Sequence, residues 1–138
     1  MTDEDGAQAL TYLDSSAIVK LILPEPESGA LSEFLAGRNL VSSRLGEIES
    51  RRAIMLTGSD EEVTAREQEV LDSIDLIEIS PTIASDAAGL EPPALRTLDA
   101  IHLATALALG EDLDCVVVYD HRLAAATRER ALNVQGPQ

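Results

Sequence analysis

Aromatic residues are scarce in this sequence: only Tyr12, Phe34 and Tyr119 are present, and tryptophan is absent. The core must therefore be built from Leu, Ile, Val and Ala, and the chain offers no aromatic platform on which nucleic-acid bases could stack. Cysteine is equally rare. The single Cys115 excludes a disulfide within the chain, and its place in an apolar run predicts a buried, apolar role.

Basic residues are also few, since 10 Lys and Arg stand against 25 Asp and Glu, for a formal net charge of −15. Lys20 is the only lysine. This charge argues against general electrostatic attraction to nucleic acid. It does not exclude a nucleic-acid enzyme, because divalent cations bound in an acidic cleft invert the local charge. An acidic surface also suits a partner with basic side chains.

Long apolar runs are missing, and none approaches the length of a membrane span. The first residues, MTDEDGAQ, lack the basic-then-apolar order of a signal peptide. We therefore expect a cytoplasmic protein without membrane contact. The 138 residues suit one domain, and without repeats or linkers the sequence predicts a single domain over residues 1–138, with residues 1–9 as a flexible N-terminal tail.

Strand-like runs alternate with helical patterns along the chain, which is typical of an α/β fold with a mainly parallel sheet. Strands are predicted at residues 10–13, 40–41, 76–79 and 115–119, with a short last strand at Val134. Helices are predicted at residues 15–23, 27–36, 43–57, 60–73, 81–88, 95–110 and 123–131. Ser15 or Ser16 is the predicted cap of the first helix, and Ser59 opens a capping box for the fourth.

Several acidic residues are predicted to converge at one edge of the sheet. Asp14 and Asp120 directly follow predicted strands, and sites in parallel sheets form beyond the carboxyl ends of the strands. Asp99 lies on the helix face marked by Leu98 and His102, where a buried carboxylate is costly unless it is paired, hydrogen-bonded or bound to a metal. Glu49 lies in a helix expected to face the same edge.

Each acid also has an ordinary structural explanation. Asp14 and Asp120 could be helix N-caps, Asp99 could pair with Arg96, and Glu49 could pair with Arg51 or Arg52. Convergence favours a cation site, because carboxylates brought together repel each other unless a cation holds them. Oxygen donors without a Cys or His set favour Mg²⁺ or Mn²⁺. His102 is predicted to be a packed core residue and not a ligand.

Four stretches of the chain, taken in order, resemble the PIN-domain ribonucleases and, among them, the VapC-type toxins. These stretches are YLDSSAIVKL from Tyr12, SSRLGEIESRRAI from Ser42, LRTLDAIHLATAL from Leu95 and VVYDHRLAAA from Val117, followed by a similar ending, ALNVQGP. The resemblance implies a three-layer α/β/α fold with a mainly parallel sheet of four or five strands.

The resemblance also implies a metal site for RNA hydrolysis. Its three main acids fall on Asp14, Glu49 and Asp99, and a fourth, more variable acid falls on Asp120. Mg²⁺ or Mn²⁺ held there would activate water and stabilise the charge that builds on the phosphate. Glu47 is the alternative to Glu49, but Glu49 fits the family register better, and residues two apart point to different sides of a helix. The small hydroxyl residue of the motif, Ser15 or Ser16, is expected to contact bound water or phosphate.

As a toxin-like protein, the chain is expected to bind a VapB-like antitoxin whose Arg enters the acidic pocket. A homodimer or a toxin–antitoxin hetero-oligomer is also expected, with residues 30–35 as a candidate dimer surface. Four arginines near the cleft in sequence are candidates for phosphate contacts or for surface ion pairs: Arg44, Arg51, Arg96 and Arg122.

The competing functions are an RNA-processing nuclease that is not a toxin and a non-catalytic binding module. A phosphoacceptor receiver domain is disfavoured, because Asp14 has no acidic neighbour and Lys20 is misplaced.

Overall fold

The computed structural model describes residues 9–58 and 60–138, and in these residues the chain forms one five-stranded sheet. Its strands are β1 (Leu10–Leu13), β2 (Asn39–Ser43), β3 (Asp75–Ile77), β4 (Leu113–Val117) and β5 (Val134–Gln135). All neighbouring strands are parallel, in the order β3-β2-β1-β4-β5. The predicted parallel α/β sheet is therefore confirmed. Residues 1–8 of the predicted tail lie outside the described residues, so one domain over the whole chain stays a prediction.

Seven α-helices connect the strands in the described part of the chain. They are α1 (Ser15–Ile22), α2 (Ser28–Leu35), α3 (Arg44–Thr57), α4 (Glu61–Asp72), α5 (Pro81–Ala88), α6 (Thr97–Ala108) and α7 (His121–Glu129). A short 3-10 helix, Gly110–Asp112, precedes β4. Among the described helices, none is long and apolar enough to cross a membrane.

Short polar residues begin several of these helices, because their side-chain oxygens accept the free N–H groups of the first turn. Ser43 caps α3, and Ser80 caps α5 directly before a proline. The prediction for α1 is wrong, since its cap is Asp14 and not a serine. The cap of α4 is Asp60, whose side chain accepts from the N–H of Val63 at 2.9 Å. Ser59 of the predicted capping box lies outside the described residues.

Two apolar cores lie on the two faces of the sheet, because side chains alternate between the faces along each strand. Leu13 and Val117 enter the core that α1, α2 and α4 cover, whereas Tyr12 and Val116 enter the core that α6 and α7 cover. The resulting architecture has helices on both sides of a parallel sheet. This is the three-layer α/β/α arrangement that the resemblance implies.

The strand predicted at residues 115–119 is shifted by two residues, since β4 ends at Val117. Val118 is still 3% exposed and Tyr119 remains half-buried. The apolar run therefore marks burial and not the length of the hydrogen-bonded strand, and Asp120 follows β4 after two residues and not directly. The predicted third strand likewise begins earlier, at Asp75.

The order of the strands reverses direction at β1, which places the carboxyl end of β1 at the centre of the fold. The chain runs outward from β1 to β2 and β3 on one side, and to β4 and β5 on the other. Ligand sites in open α/β sheets lie at such a reversal. Asp14 occupies this point, where its N–H donates to the carbonyl of Val117 at 3.2 Å.

Candidate active site

Asp14 is fixed at the carboxyl end of β1 and is 3% exposed. Its Oδ1 accepts two hydrogen bonds, from the N–H of Ala17 at 3.0 Å and from Oγ of Ser16 at 2.6 Å. Burial raises the pKa of Asp14 to about 6, although these two donors oppose the rise. The N-cap role considered for Asp14 is therefore real, but it uses one carboxylate oxygen and leaves Oδ2 without a hydrogen bond among the described residues.

Glu49 projects from α3 toward the same end of the sheet. Its Oε1 is 2.7 Å from Nε2 of His102. The pairing considered with Arg51 or Arg52 does not occur in the described structure: Arg51 binds Glu47 and Glu67 instead. The side chain of Glu49 is one quarter exposed, and Oε2 has no hydrogen-bond partner among the described residues.

Glu47 is turned away from this site and is held by two arginines. Its carboxylate lies 2.6 Å from Nη1 of Arg44 and 3.2 Å from Nη2 of Arg51. Hydrogen bonds from Arg44 hold the pKa of Glu47 below its usual value. The two glutamates, two residues apart, thus have separate surroundings, and only Glu49 joins the acidic pocket described below.

Asp99 lies in the first turn of α6, and its side chain is half-buried. Desolvation by partial burial raises the pKa of Asp99, and the negative charge of Asp120 raises it further. No ion pair joins Asp99 to Arg96 in the part of the chain that the structure describes. The predicted apolar face of this helix is partly wrong, because Leu98 is 47% exposed. Thr97, Leu98 and Asp99 of the first turn instead line the pocket described below.

Asp120 caps α7, where its Oδ1 accepts from the N–H of Leu123 at 2.9 Å. The side chain is exposed. As with Asp14, the N-cap explanation is correct and occupies one oxygen, so the cap fixes the carboxylate and leaves Oδ2 available to a ligand.

A cavity of about 520 Å³ brings all four predicted acids together. They come from four different places: the end of β1, the middle of α3, the start of α6 and the start of α7. The cavity is also lined by a fifth acid, Glu25, and by other polar and charged residues: Ser15, Ser16, Lys20, Arg96, Thr97 and His102.

The carboxylates of this cavity repel each other. The charge of Glu49 raises the pKa of both Asp14 and Asp99, in addition to the larger effect of burial. A cation entering the cavity would relieve this repulsion and would lower those pKa values. The acidic cavity therefore favours a positively charged ligand.

The donor set fits a hard divalent cation, since it consists of carboxylate oxygens. Three of the acids keep one oxygen without a hydrogen-bond partner in the described structure, namely Oδ2 of Asp14, Oε2 of Glu49 and Oδ2 of Asp120. Among residues 9–58 and 60–138, no three Asp, Glu, His or Cys side chains already stand in the arrangement of a metal site. The chemistry of the donors thus fits a metal, and binding one would draw the carboxylates together.

Ser15 and Ser16, the two candidates for the hydroxyl residue expected to contact bound water or phosphate, both line the cavity. The hydroxyl of Ser16 donates to Asp14 and accepts from the N–H of Tyr119 at 3.2 Å. It therefore ties the segment after β4 to the Asp14 carboxylate. Ser15 borders the same cavity beside it.

Lys20 and His102 also line the cavity, although the sequence predicted no role in the site for either residue. Nζ of Lys20 lies 2.7 Å from Oε2 of Glu25 and 4.8 Å from the ring centre of Tyr119. Lys20 therefore links the loop after α1 to the segment after β4. His102 is buried, as predicted, but its ring nitrogens bind Tyr12 and Glu49. Helical spacing already placed His102 on the same face as Asp99, but spacing alone does not distinguish a packed core residue from one that also borders the cavity.

The four arginines near the cleft fall into two classes. Arg44 is bound by Glu78 and Glu47, and Arg51 by Glu67 and Glu47, so both are surface ion pairs. Arg96 and Arg122 form no ion pair or side-chain hydrogen bond in the described structure. They line a second cavity of about 460 Å³, which shares Arg96 and Asp99 with the acidic cavity. Unpaired positive charge therefore lies directly beside the acids.

Known proteins have sequences similar to this chain. A sequence model of the PIN domain matches residues 11–129. Ribonuclease VapC46 of Mycobacterium tuberculosis is 44% identical over 130 residues, which is 94% of this chain and 98% of that protein. Ribonuclease VapC35 of the same species is 44% identical over 133 residues, covering 93% of this chain and 97% of the relative.

Solved structures share the fold at low sequence identity. VapBC2 from Rickettsia felis, bound to a DNA fragment from its promoter, contains a chain with a TM-score of 0.72 at 14% identity, over 94% of this chain and 99% of that one. Mycobacterium tuberculosis VapC20, described as a sarcin–ricin loop cleaving toxin, has a TM-score of 0.67 at 14% identity, over 84% of this chain and 94% of that one. The family match over most of the chain and the 44% identity to full-length relatives lead to one conclusion: the chain belongs to the PIN domain family and, within it, to the VapC group.

Proposed function

We propose that this protein is a metal-dependent endoribonuclease that acts as the toxin of a toxin–antitoxin pair. The observation that carries the proposal is the convergence of four carboxylates, from four separate elements, on one cavity at the reversal point of the sheet. The relatives named ribonucleases, 44% identical over nearly their whole length, support RNA as the substrate class.

Asp14, Glu49, Asp99 and Asp120 would hold the metal, Mg²⁺ or Mn²⁺. A bound divalent cation supplies a hydroxide nucleophile near neutral pH and positive charge for the phosphate and the leaving oxygen. The protein's part is to hold the carboxylates in place. The caps of α1 and α7 fix Asp14 and Asp120 through one oxygen each, so the other oxygen of each carboxylate has little freedom to move.

The RNA strand would pass over the second cavity, where Arg96 and Arg122 lie. Phosphate binding needs cations that are not already neutralised, and the ion pairs of Arg44 and Arg51 leave them poorly suited to it. Because Asp99 borders both cavities, a strand bound there would bring one of its phosphates to the carboxylates. With so few aromatic residues, selection of bases would depend on shape and on polar groups of the loops.

A VapB-like antitoxin is the proposed partner. Solved relatives of this fold include the complexes VapBC2 and FitAB, which supports a protein partner. An Arg of the antitoxin, entering the acidic cavity, would neutralise the carboxylates by charge-assisted hydrogen bonds. Met55 and Leu56 on α3 are 70% and 88% exposed and offer apolar surface to the same partner.

A homodimer remains a further prediction. Residues 30–35 are poorly suited to form its interface, because Leu31 and Leu35 point into the core.

Cleavage assays on total RNA with purified protein test this function. The wild type should cleave in Mn²⁺ or Mg²⁺ and stop in EDTA, and Asp99→Asn should be inactive under all conditions. Growth inhibition on induced expression, lost in Asp99→Asn, separates a toxin from a processing nuclease. A wild type that binds no divalent cation and cleaves no RNA would indicate a non-catalytic binding module.

A further inference from the structure

A buried chain of hydrogen bonds leads from the core to the Glu49 carboxylate. Tyr12, in β1, places its hydroxyl 2.7 Å from Nδ1 of His102. On the other side of the ring, Nε2 of His102 lies 2.7 Å from Oε1 of Glu49. Tyr12 is fully buried and His102 is 3% exposed, so the chain ends at the cavity without other access to solvent.

The chemistry of the three groups gives these hydrogen bonds a direction. An ionised carboxylate only accepts, so Nε2 of His102 must carry a proton and donate it to Glu49. In the neutral imidazole the other nitrogen, Nδ1, then accepts the hydroxyl proton of Tyr12. One tautomer and one ring orientation therefore satisfy every group in the chain.

Gly46, three residues before Glu49, lies where α3 packs tightly on β2. A side-chain carbon at Gly46 would clash with Oγ of Ser42, whereas it would make only an ordinary contact, at 3.6 Å, with Cε1 of His102. The glycine thus allows α3 to approach β2 closely at the turn that precedes Glu49. The rings of Tyr12 and His102 also meet edge to face, with their centres 5.9 Å apart.

Without such support, Glu49 would be the least constrained acid of the cavity. Its side chain is long and has several rotatable bonds, unlike the capping carboxylates of Asp14 and Asp120. The charges of Asp14 and Asp99 also repel it, which favours rotamers that point to solvent. The hydrogen bond from His102 opposes that movement.

We propose that His102 is a positioning residue, held by Tyr12, which keeps the Glu49 carboxylate directed at the cavity with Oε1 bound and Oε2 free for a cation. The inference rests on the proposed metal-dependent function and deepens it. Ligating carboxylates that are themselves hydrogen-bonded by the protein are a general feature of metal sites, and losing such a partner typically costs 10- to 100-fold in affinity or activity.

Two amide substitutions at one position separate this role from simple packing. In His102→Gln the amide nitrogen falls where Nε2 was and can still donate to Glu49. In His102→Asn it falls where Nδ1 was, so the bond to Glu49 is lost. Both variants lose the ring, and thermal melts without metal should show a similar loss of stability for the two.

Binding of Mn²⁺, measured by calorimetry, is the readout, with RNA cleavage beside it. The dissociation constant should rise roughly 10- to 100-fold in His102→Asn and only a few-fold in His102→Gln. In a Glu49→Ala background, His102→Asn should cause no further weakening, because the effect acts through Glu49. Tyr12→Phe provides a second test if His102→Asn does not fold, and it should weaken binding several-fold only when Glu49 is present.

Three outcomes would contradict the proposed role of His102. Mn²⁺ affinity in His102→Asn equal to that of the wild type, or an equal loss in the Glu49→Ala background, would overturn the role of His102 while leaving the nuclease function intact. In the same way, equal weakening by the Asn and Gln variants would reduce His102 to a packing residue. A wild type that neither binds Mn²⁺ nor cleaves RNA would overturn both proposals together.

Discussion

Glu47 and Glu49 lie two residues apart on α3 and have separate partners. Glu47 is bound by Arg44 and Arg51, with its carboxylate 2.6 Å from Nη1 of Arg44. Glu49 contacts His102 at 2.7 Å and lines the acidic cavity. The separation follows from helical geometry, which places residues i and i+2 on different sides.

The first prediction compares these two glutamates. Glu49→Gln should abolish RNA cleavage, because it removes a charge and a ligating oxygen from the cavity. Glu47→Gln should keep most of the activity and lose only about 0.2 to 1 kcal/mol of stability, the typical value of exposed ion pairs. Initial rates on one RNA substrate and urea unfolding of both variants give the comparison. The opposite pattern of rates would place the catalytic register at Glu47.

The second prediction concerns the pH dependence of stability in the metal-free protein. Burial raises the pKa of Asp14 to about 6, so the charged form destabilises the folded state at neutral pH. Asp14→Asn removes the charge but keeps an oxygen for the cap of α1. Its free energy of unfolding should exceed that of the wild type at about pH 8, by up to about 3 kcal/mol.

The pH range of this stability difference is set by the pKa values of the Asp14 carboxyl in the folded and the unfolded state. Well below its ordinary pKa of 3.8 the carboxyl is protonated in both the folded and the unfolded state, so the advantage of Asp14→Asn should vanish there. The advantage should grow as the pH rises from about 4 to the folded-state pKa of about 6, and it should level off above that pH. Urea unfolding in EDTA at several pH values measures the difference. A gain independent of pH, or a loss at neutral pH, would mean that the Asp14 charge is already compensated.

The third prediction tests the unpaired arginines. Arg96→Ala and Arg122→Ala should each raise KM several-fold with little change in kcat, and each should reduce the salt dependence of kcat/KM by about 0.7 in logarithmic slope, the value for one contact to a single strand. Arg52→Ala is the matched control, because Arg52 also has no ion pair in the described structure but borders a different cavity. An equal effect of all three variants would indicate general electrostatics and no defined RNA path.

The fourth prediction concerns the antitoxin. Co-expression with the small gene adjacent to this one should yield a stable complex that does not cleave RNA. Met55→Asp should weaken that complex without slowing cleavage by the free protein, whereas Ile79→Asp, at another exposed apolar residue, should leave the complex unchanged. Failure of the adjacent genes to give any complex would contradict the toxin assignment. A Met55→Asp variant that binds the antitoxin normally would exclude this surface of α3.

Much of the fold could be predicted because burial and capping leave clear local patterns. The alternation of apolar runs with capped helices indicated the parallel sheet, and Ser80 before Pro81 marked the start of α5. The end of β4 could not be found this way, since Val118 and Tyr119 stay packed after the strand stops. An apolar run reports burial, whereas a strand is defined by its neighbour's hydrogen bonds.

The candidate site shows the same limit. The strand-end position of Asp14 was readable from sequence, because Asp14 follows an apolar run, whereas that of Asp120 was predicted two residues too close to its strand. The environment of Asp99 was not readable, because the burial of a helix face depends on what packs against that turn, and the neighbouring Leu98 is 47% exposed. The contact of His102 with Tyr12 joins residues 90 positions apart. No local pattern encodes such a partner.

Asp99→Asn provides the most direct test of the central claim, that the four carboxylates form a cation-dependent ribonuclease site. Thermal melts of wild type and variant, with and without Mn²⁺, should be run beside RNA cleavage. Without metal the variant should melt at the same temperature as the wild type or higher, because repulsion is relieved. Mn²⁺ should stabilise the wild type more than the variant, and only the wild type should cleave RNA. A variant that is less stable without metal, gains as much from Mn²⁺ and still cleaves RNA would contradict the claim.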